Sequence, residues 1–296
     1  MMKRAPGAFS GKVLPSSDRG RVFGANHVAN RPESAMSGKV TILGVPVHNR
    51  TGADTLHQVS TWLSDASESL HQVATVNPEF IMTARNDPEF FELLQNVDLT
   101  TADGVGVTLA ARLHGRRIKE RVTGVDLTER LAALDDPRPR LFLLGAAPGI
   151  AEEAMQALKR RFPDCDIRGT YSGSPRSDDQ AEILRRIGES GADTLLVAFG
   201  APEQDKWIAR HRQALAGCGI VVAIGVGGTF DYLSGRAPRA PRLIRRIGLE
   251  WLYRLIRQPW RWRRQLALPQ FAALVVWERL TGKGKASVSN HGRTQR

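Results

Sequence analysis

The segment TADGVG, residues 101–106, ends an apolar run in a carboxylate followed by two glycines. Small neighbours leave room for a substrate beside Asp103, so this carboxylate is placed to take a proton as a general base. The competing reading is an N-cap for the helix expected over 105–114. In TVNP, residues 75–78, Thr75 and Asn77 put two short polar side chains at the end of another apolar run. An ordinary Asn-Pro turn would use the same residues. Arg121, in RVTGVD, precedes a turn and a further helix. A guanidinium suits bidentate contact with phosphate, and a solvated surface arginine is the plain alternative.

Three loops could hold a ligand. Gly145 opens GAAPG, residues 145–149, between the strand-like LFLL and a helix. Unpaired N–H groups at a helix start suit a phosphate oxygen, but a tight strand–helix turn needs no ligand. GVGG, residues 225–228, follows the strand-like IVVAI. Closely spaced glycines such as Gly227 let backbone approach a ligand. Asp231, just beyond, can accept hydrogen bonds from a ribose or a uracil, or cap a helix. In GAPEQDKW, Gln204 sits where a first helical turn could reach a sugar hydroxyl or a phosphate; a generic helix start with Pro202 in its first turn is the alternative. None of these loops has the spacing GxGxxG, and no acid follows a matching strand at about 20 residues. That argues against a nicotinamide-dependent oxidoreductase.

Elements must bring these residues together. Strand-like runs at 40–43, 72–76, 99–102, 140–144, 166–171, 194–199 and 220–224 alternate with helical patterns at 54–67, 78–86, 105–114, 127–134, 148–162, 178–189 and 202–213. The alternation predicts an α/β fold with a mainly parallel sheet flanked by helices. Ligands of open α/β sheets bind at the carboxyl ends of the strands, where most of the residues above fall. Residues 1–36 are rich in Gly, Ser, Pro, Asn and Arg and are expected to be disordered. Residues 37–240 read as one α/β domain, 241–282 as a basic amphipathic helical appendage, and 283–296 as a disordered tail.

The formal charge is +12, and residues 236–264 alone hold ten arginines and one acid, interleaved with three tryptophans and a tyrosine. Such a segment calls for an anionic partner: a membrane surface, a nucleic acid or a polyphosphate. Arg242, Arg246, Glu250, Arg254 and Arg257 recur at helical spacing and predict one shared face. Pro259 ends that helix, and a second apolar stretch over 266–280 is interrupted by Pro269. The tryptophans and leucines share helical faces instead of alternating as a stacking groove. This favours anionic lipid over nucleic acid. The chain has two cysteines and no CxxC or Cys/His cluster, which fits a reducing compartment and no structural zinc. No apolar run reaches the ~18 residues of a membrane span. The expected location is cytoplasmic, peripheral on the inner face of the membrane.

In order along the chain, TVNP, ADGVGV, RVTGVD, LLGAAPG, FGAPEQDKW, GVGGTFDYLSG, RAP and GLEWLYRLIRQPWR resemble the WecG/TagA/CpsF family of bacterial glycosyltransferases. The match runs from about residue 40 to 280. The resemblance implies a Rossmann-like fold and inverting transfer of a sugar from a UDP-sugar to an undecaprenyl-diphosphate-linked saccharide, with no cofactor and no essential metal. It implies that Asp103 is the catalytic base and that Thr75 contacts the reacting sugar or the base. It implies that Arg121 and Gln204 are polar active-site contacts and that Asp231 contacts the nucleoside. By the same resemblance, Arg254, Arg261 and Arg264 support activity from the appendage, and the protein self-associates.

Overall fold

The computed structural model describes residues 38–65, 69–241, 243–244, 248–259 and 262–282. The expected disordered ends, 1–36 and 283–296, lie outside the described residues. The described chain opens with an antiparallel hairpin, β1 (Lys39–Ile42) and β2 (Val45–His48). Its turn residues, Leu43 and Gly44, have positive φ of 48° and 86°. A two-residue hairpin turn needs that twist. The expectation that 40–43 joins the main sheet is therefore corrected: β1 pairs with β2 in a sheet of its own. The signal was hidden by Pro46 and by the brevity of the second strand. His48 docks the hairpin on the main sheet, accepting from the Thr100 backbone N–H at 3.0 Å.

After α1 (Gly52–Ser64), which starts on a Thr51/Asp54 capping box, the central sheet begins. It contains β3 (His71–Val76), β4 (Leu99–Ala102), β5 (Arg140–Gly145), β6 (Asp166–Tyr171), β7 (Thr194–Ala198) and β8 (Val222–Gly225). The six strands are all parallel, in the order β4-β3-β8-β7-β5-β6. The crossovers are α2 (Pro78–Asn86) with α3 (Pro88–Asn96), α4 (Val105–Leu113) with α5 (Gly124–Ala132), α6 (Ile150–Arg161), α7 (Gln180–Ser190), and α8 (Glu203–Arg210) with α9 (Arg212–Gly217). Asp87 separates α2 from α3, accepting from Phe90 N–H at 3.1 Å. The single helix expected over 202–213 divides at His211.

Strand alternation sorts the core. Leu141 and Leu143 of β5 face Val59, Leu127 and Ile150, from α1, α5 and α6. Phe142 and Leu144, between them, face Ile183, Trp207 and Leu215 from α7, α8 and α9. Both faces are covered, which is why these strands read as continuous apolar runs.

The chain ends in α10 (Thr229–Leu233), α11 (Glu250–Arg257), α12 (Trp262–Gln265) and α13 (Ala267–Thr281). Gly248, at φ +80°, and Leu249 precede α11. The helical face expected from Arg242 through Arg257 is therefore not one helix, and Arg242, Arg245 and Arg246 lie outside the described residues. Pro269 does not interrupt α13, because it sits in the first turn, where an N–H has no intrahelical partner. Phe271 and Val275 of α13 are buried with the hairpin, α2 and α4. The last helix of the appendage is thus part of a core cluster. No helix among the described residues is long and apolar enough to cross a membrane.

Candidate active site

Short-range contacts bring β3, β4 and the 121–126 turn to one point. Asp103 N–H donates to Val76 O at 2.7 Å, joining the ends of β4 and β3. Val122 N–H donates to Ala102 O at 2.9 Å, and the Thr101 hydroxyl donates to Val122 O at 3.0 Å. This clamp sets Arg121 beside the end of β4. Asn77, Asp103 and Arg121 consequently line one cleft of about 120 Å³. Gly104 occupies the N-cap position of α4, with Asp103 one residue before it. Asn77 does cap α2, with Oδ1 accepting from Phe80 N–H at 3.0 Å. Arg121 is half-buried and has no ion pair among the described residues. A half-buried guanidinium without an anion is suited to binding one.

The opposite wall comes from the appendage: Gly248, Glu250, Trp251, Gln265 and Leu268 line the same cleft. Gly248 makes this possible. A Cβ there would lie 2.7 Å from Val105 Cγ2, and its φ of +80° disfavours any side chain. The appendage therefore crosses directly over the start of α4. Arg264, expected at the site, donates to Glu79 Oε2 at 2.8 Å, and Glu79 lines the cleft. Arg261 lies outside the described residues, and of Arg254 only the backbone, in α11, is described.

A second group forms around the end of β8. Thr75 is buried, and its hydroxyl donates to Gly225 O at 3.1 Å. It joins the two groups from below and does not line the cleft. Gln204 is buried to 1% exposure, and its Oε1 accepts from Gly227 N–H at 3.0 Å. Gly227 has φ +55° and open space where a Cβ would point, so it leaves room for a ligand while its N–H is occupied by Gln204. Asp231 stands in the first turn of α10. Gly145 lies one crevice further, between β5 and β7, where the connections diverge: α6 leads outward to β6, and α8 with α9 leads back to β8. Such a switch point is where open α/β sheets bind ligands. Glycine is needed there, since a Cβ on Gly145 would come 2.9 Å from the Ala198 carbonyl carbon.

Besides Arg264 on Glu79, two more of the clustered arginines bind carboxylates of their own chain. Arg239 donates to Asp126 at 2.6 Å, and Arg236 to Glu153 at 2.5 Å. Burial pushes the Asp126 carboxyl up, but the Arg239 bond and charge, with the bonds from Thr123, together outweigh it and the net shift is downward. Sequence reasoning missed Glu79, Trp251, Gln265 and Asp205. Asp205 follows Gln204 in a first turn that also carries Glu203, yet it is fully buried. Burial pushes its carboxyl up to about 7.

A parallel α/β sheet carrying a carboxylate, an arginine without an ion pair and glycine loops at its carboxyl edge is the architecture of a Rossmann-like group-transfer enzyme. The chain belongs to the WecG/TagA/CpsF family of glycosyl transferases, whose family model matches residues 40–285. It is 34% identical over 207 residues to the N-acetylglucosaminyldiphosphoundecaprenol N-acetyl-beta-D-mannosaminyltransferase of Bacillus subtilis (strain 168), spanning 70% of this chain and 79% of that protein. The protein of the same description from Bacillus spizizenii is 36% identical over 205 residues, 69% of this chain and 78% of its own length. That from Staphylococcus aureus (strain NCTC 8325) is 28% identical over 225 residues, 76% of this chain and 87% of its own length.

Proposed function

We propose that this glycosyltransferase moves a hexose from a UDP-sugar to a saccharide carried on undecaprenyl diphosphate, by a single inverting displacement. The observation that carries this reading is the cleft that Asp103 and Arg121 share under the appendage. Asp103 takes the proton of the acceptor hydroxyl as its oxygen attacks the anomeric carbon. The acceptor lies on the Asp103 side, and the donor nucleotide lies along Gly227, Asp231 and Gly145. Negative charge grows on the leaving diphosphate, and Arg121 with loop N–H groups offsets it without a metal. The relatives' described activity makes N-acetylmannosamine the first donor sugar to assay and an N-acetylglucosaminyl diphospholipid the first acceptor.

Apolar side chains beside arginines support peripheral membrane binding. On the appendage, Ile256, Trp262, Trp277 and Leu280 are exposed by half or more, next to Arg257, Arg263 and Arg279. Sedimentation with vesicles containing anionic lipid, but no retention of single-stranded DNA at the same salt, is expected; the reverse pattern overturns the membrane assignment.

The catalytic test is Asp103→Asn. The variant should fold and bind UDP normally and lose about 10²–10⁴ in kcat, the usual contribution of a general base. Near-normal turnover with the diphospholipid acceptor sinks the base assignment.

A further inference from the structure

We propose that Asp205 is a positioning residue for the glycine loop after β8: it selects the orientation of the Gln204 amide, and that amide holds Gly227 in place. The link to catalysis rests on the donor-site reading above; the link to the loop does not.

A glutamine amide has an acceptor end and a donor end of nearly equal shape. Gly227 N–H is satisfied only when the oxygen faces it, as observed at 3.0 Å. The nitrogen end then needs an acceptor on the other side. Gln204 Nε2 and the Asp205 carboxylate both occupy the space left by the absent side chain of Gly225: a Cβ there would lie 2.5 Å from the first and 2.7 Å from Asp205 Oδ1. Gln204 is the side chain whose hydrogen bonding bears on that carboxyl. The contact stops short of a well-aligned bond, because Gln204 Nε2 and both Asp205 oxygens are buried without a partner of good geometry. With an apolar side chain at 205, the preference for oxygen at Gly227 rests on the Gly227 N–H alone, and the nitrogen end loses the acceptor beside it.

The placement argues against a passive role. A buried polar group left unsatisfied is destabilising, and an apolar residue would avoid that cost. Asp205 is anchored, since its own carbonyl accepts from Gln72 Nε2 on β3 at 3.0 Å. The carboxylate is thereby held against the strand end from which the loop departs.

Three variants test this: Asp205→Leu, Asp205→Ala and Asp205→Asn. The first two remove the acceptor, and the third keeps one. Hydrogen–deuterium exchange over residues 225–230 needs no donor. It should quicken about tenfold in Leu and Ala, the equivalent of one lost hydrogen bond, and stay at the wild-type rate in Asn. In transfer assays the donor KM should rise about tenfold in Leu and Ala, with kcat within twofold and Asn close to wild type. A merely structural carboxyl would lower melting temperature without this split. Unchanged loop exchange in whichever of Leu or Ala folds overturns the inference. If the wild type transfers from no UDP-sugar, the proposed function falls, and the exchange data still decide the role of Asp205.

Discussion

Asp205→Asn removes an ionisable proton from a carboxyl that burial raises from 3.8 to about 7. Between those values the folded chain holds a proton that the unfolded chain has released. Stability therefore falls as pH rises through this window, because the folded state binds more protons. Below 3.8 both states are protonated and the residue contributes no pH dependence; above about 7 the full deficit applies. Three pKa units at 1.36 kcal/mol each give about 4 kcal/mol, a ceiling because water entry relaxes the ionised form. For a chain of this size that is roughly 10 °C in melting temperature. The assay is chemical or thermal unfolding of wild type and Asp205→Asn at steps from pH 5 to 9. The difference isolates this residue from every other titrating group. The Asn variant should gain on wild type steadily up to about pH 8 and then hold a constant lead. Parallel curves across the range refute both the buried charge and its sign.

Other perturbations probe the cleft and its roof. Arg121→Lys keeps the charge but loses the bidentate fork, so kcat/KM should drop about 10–100-fold with UDP affinity less affected, as steady-state kinetics and calorimetry will show. Gly248→Ala sets a Cβ 2.7 Å from Val105 Cγ2 at φ +80°, so about 1–3 kcal/mol of stability should be lost. Activity should fall on soluble and lipid acceptors alike if the appendage is a working wall, and on lipid acceptors alone if it is only an anchor. Phe271→Ala should cost about 3–5 kcal/mol by urea unfolding, because its ring is buried with α2 and α4. For the same reason deletion from residue 242 onward cannot separate anchor from working wall: it also strips Phe271 and Val275 from the core.

Much of the site was legible because its signals are local. Asp103, Asn77 and the glycine loops sit where apolar runs stop, and a parallel α/β sheet gathers such ends along one edge. Arg121 was legible as a candidate phosphate contact by residue type, but its neighbours in the cleft were not. Gln204 was read as a ligand contact; the structure shows it bonded to Gly227, with 1% exposure. Arg264 was legible as an appendage arginine that supports activity, but its contact with Glu79 was not. The charged run looked like a single instrument for binding anions, yet Arg236 and Arg239 bind Glu153 and Asp126.

The sequence by itself determined the class of fold, the alternation of elements and the identity of the loops that face the sheet's carboxyl edge. These follow from hydrophobic period, caps and turn residues, all of which act over a few positions. Only the tertiary structure decided that the appendage roofs the Asp103 cleft, that α13 belongs to the core, and that Asp205 is buried behind the glycine loop. Those outcomes depend on contacts between distant segments, such as Gly248 on Val105 and Gln204 on Gly227. Packing sets them, and no local pattern encodes packing.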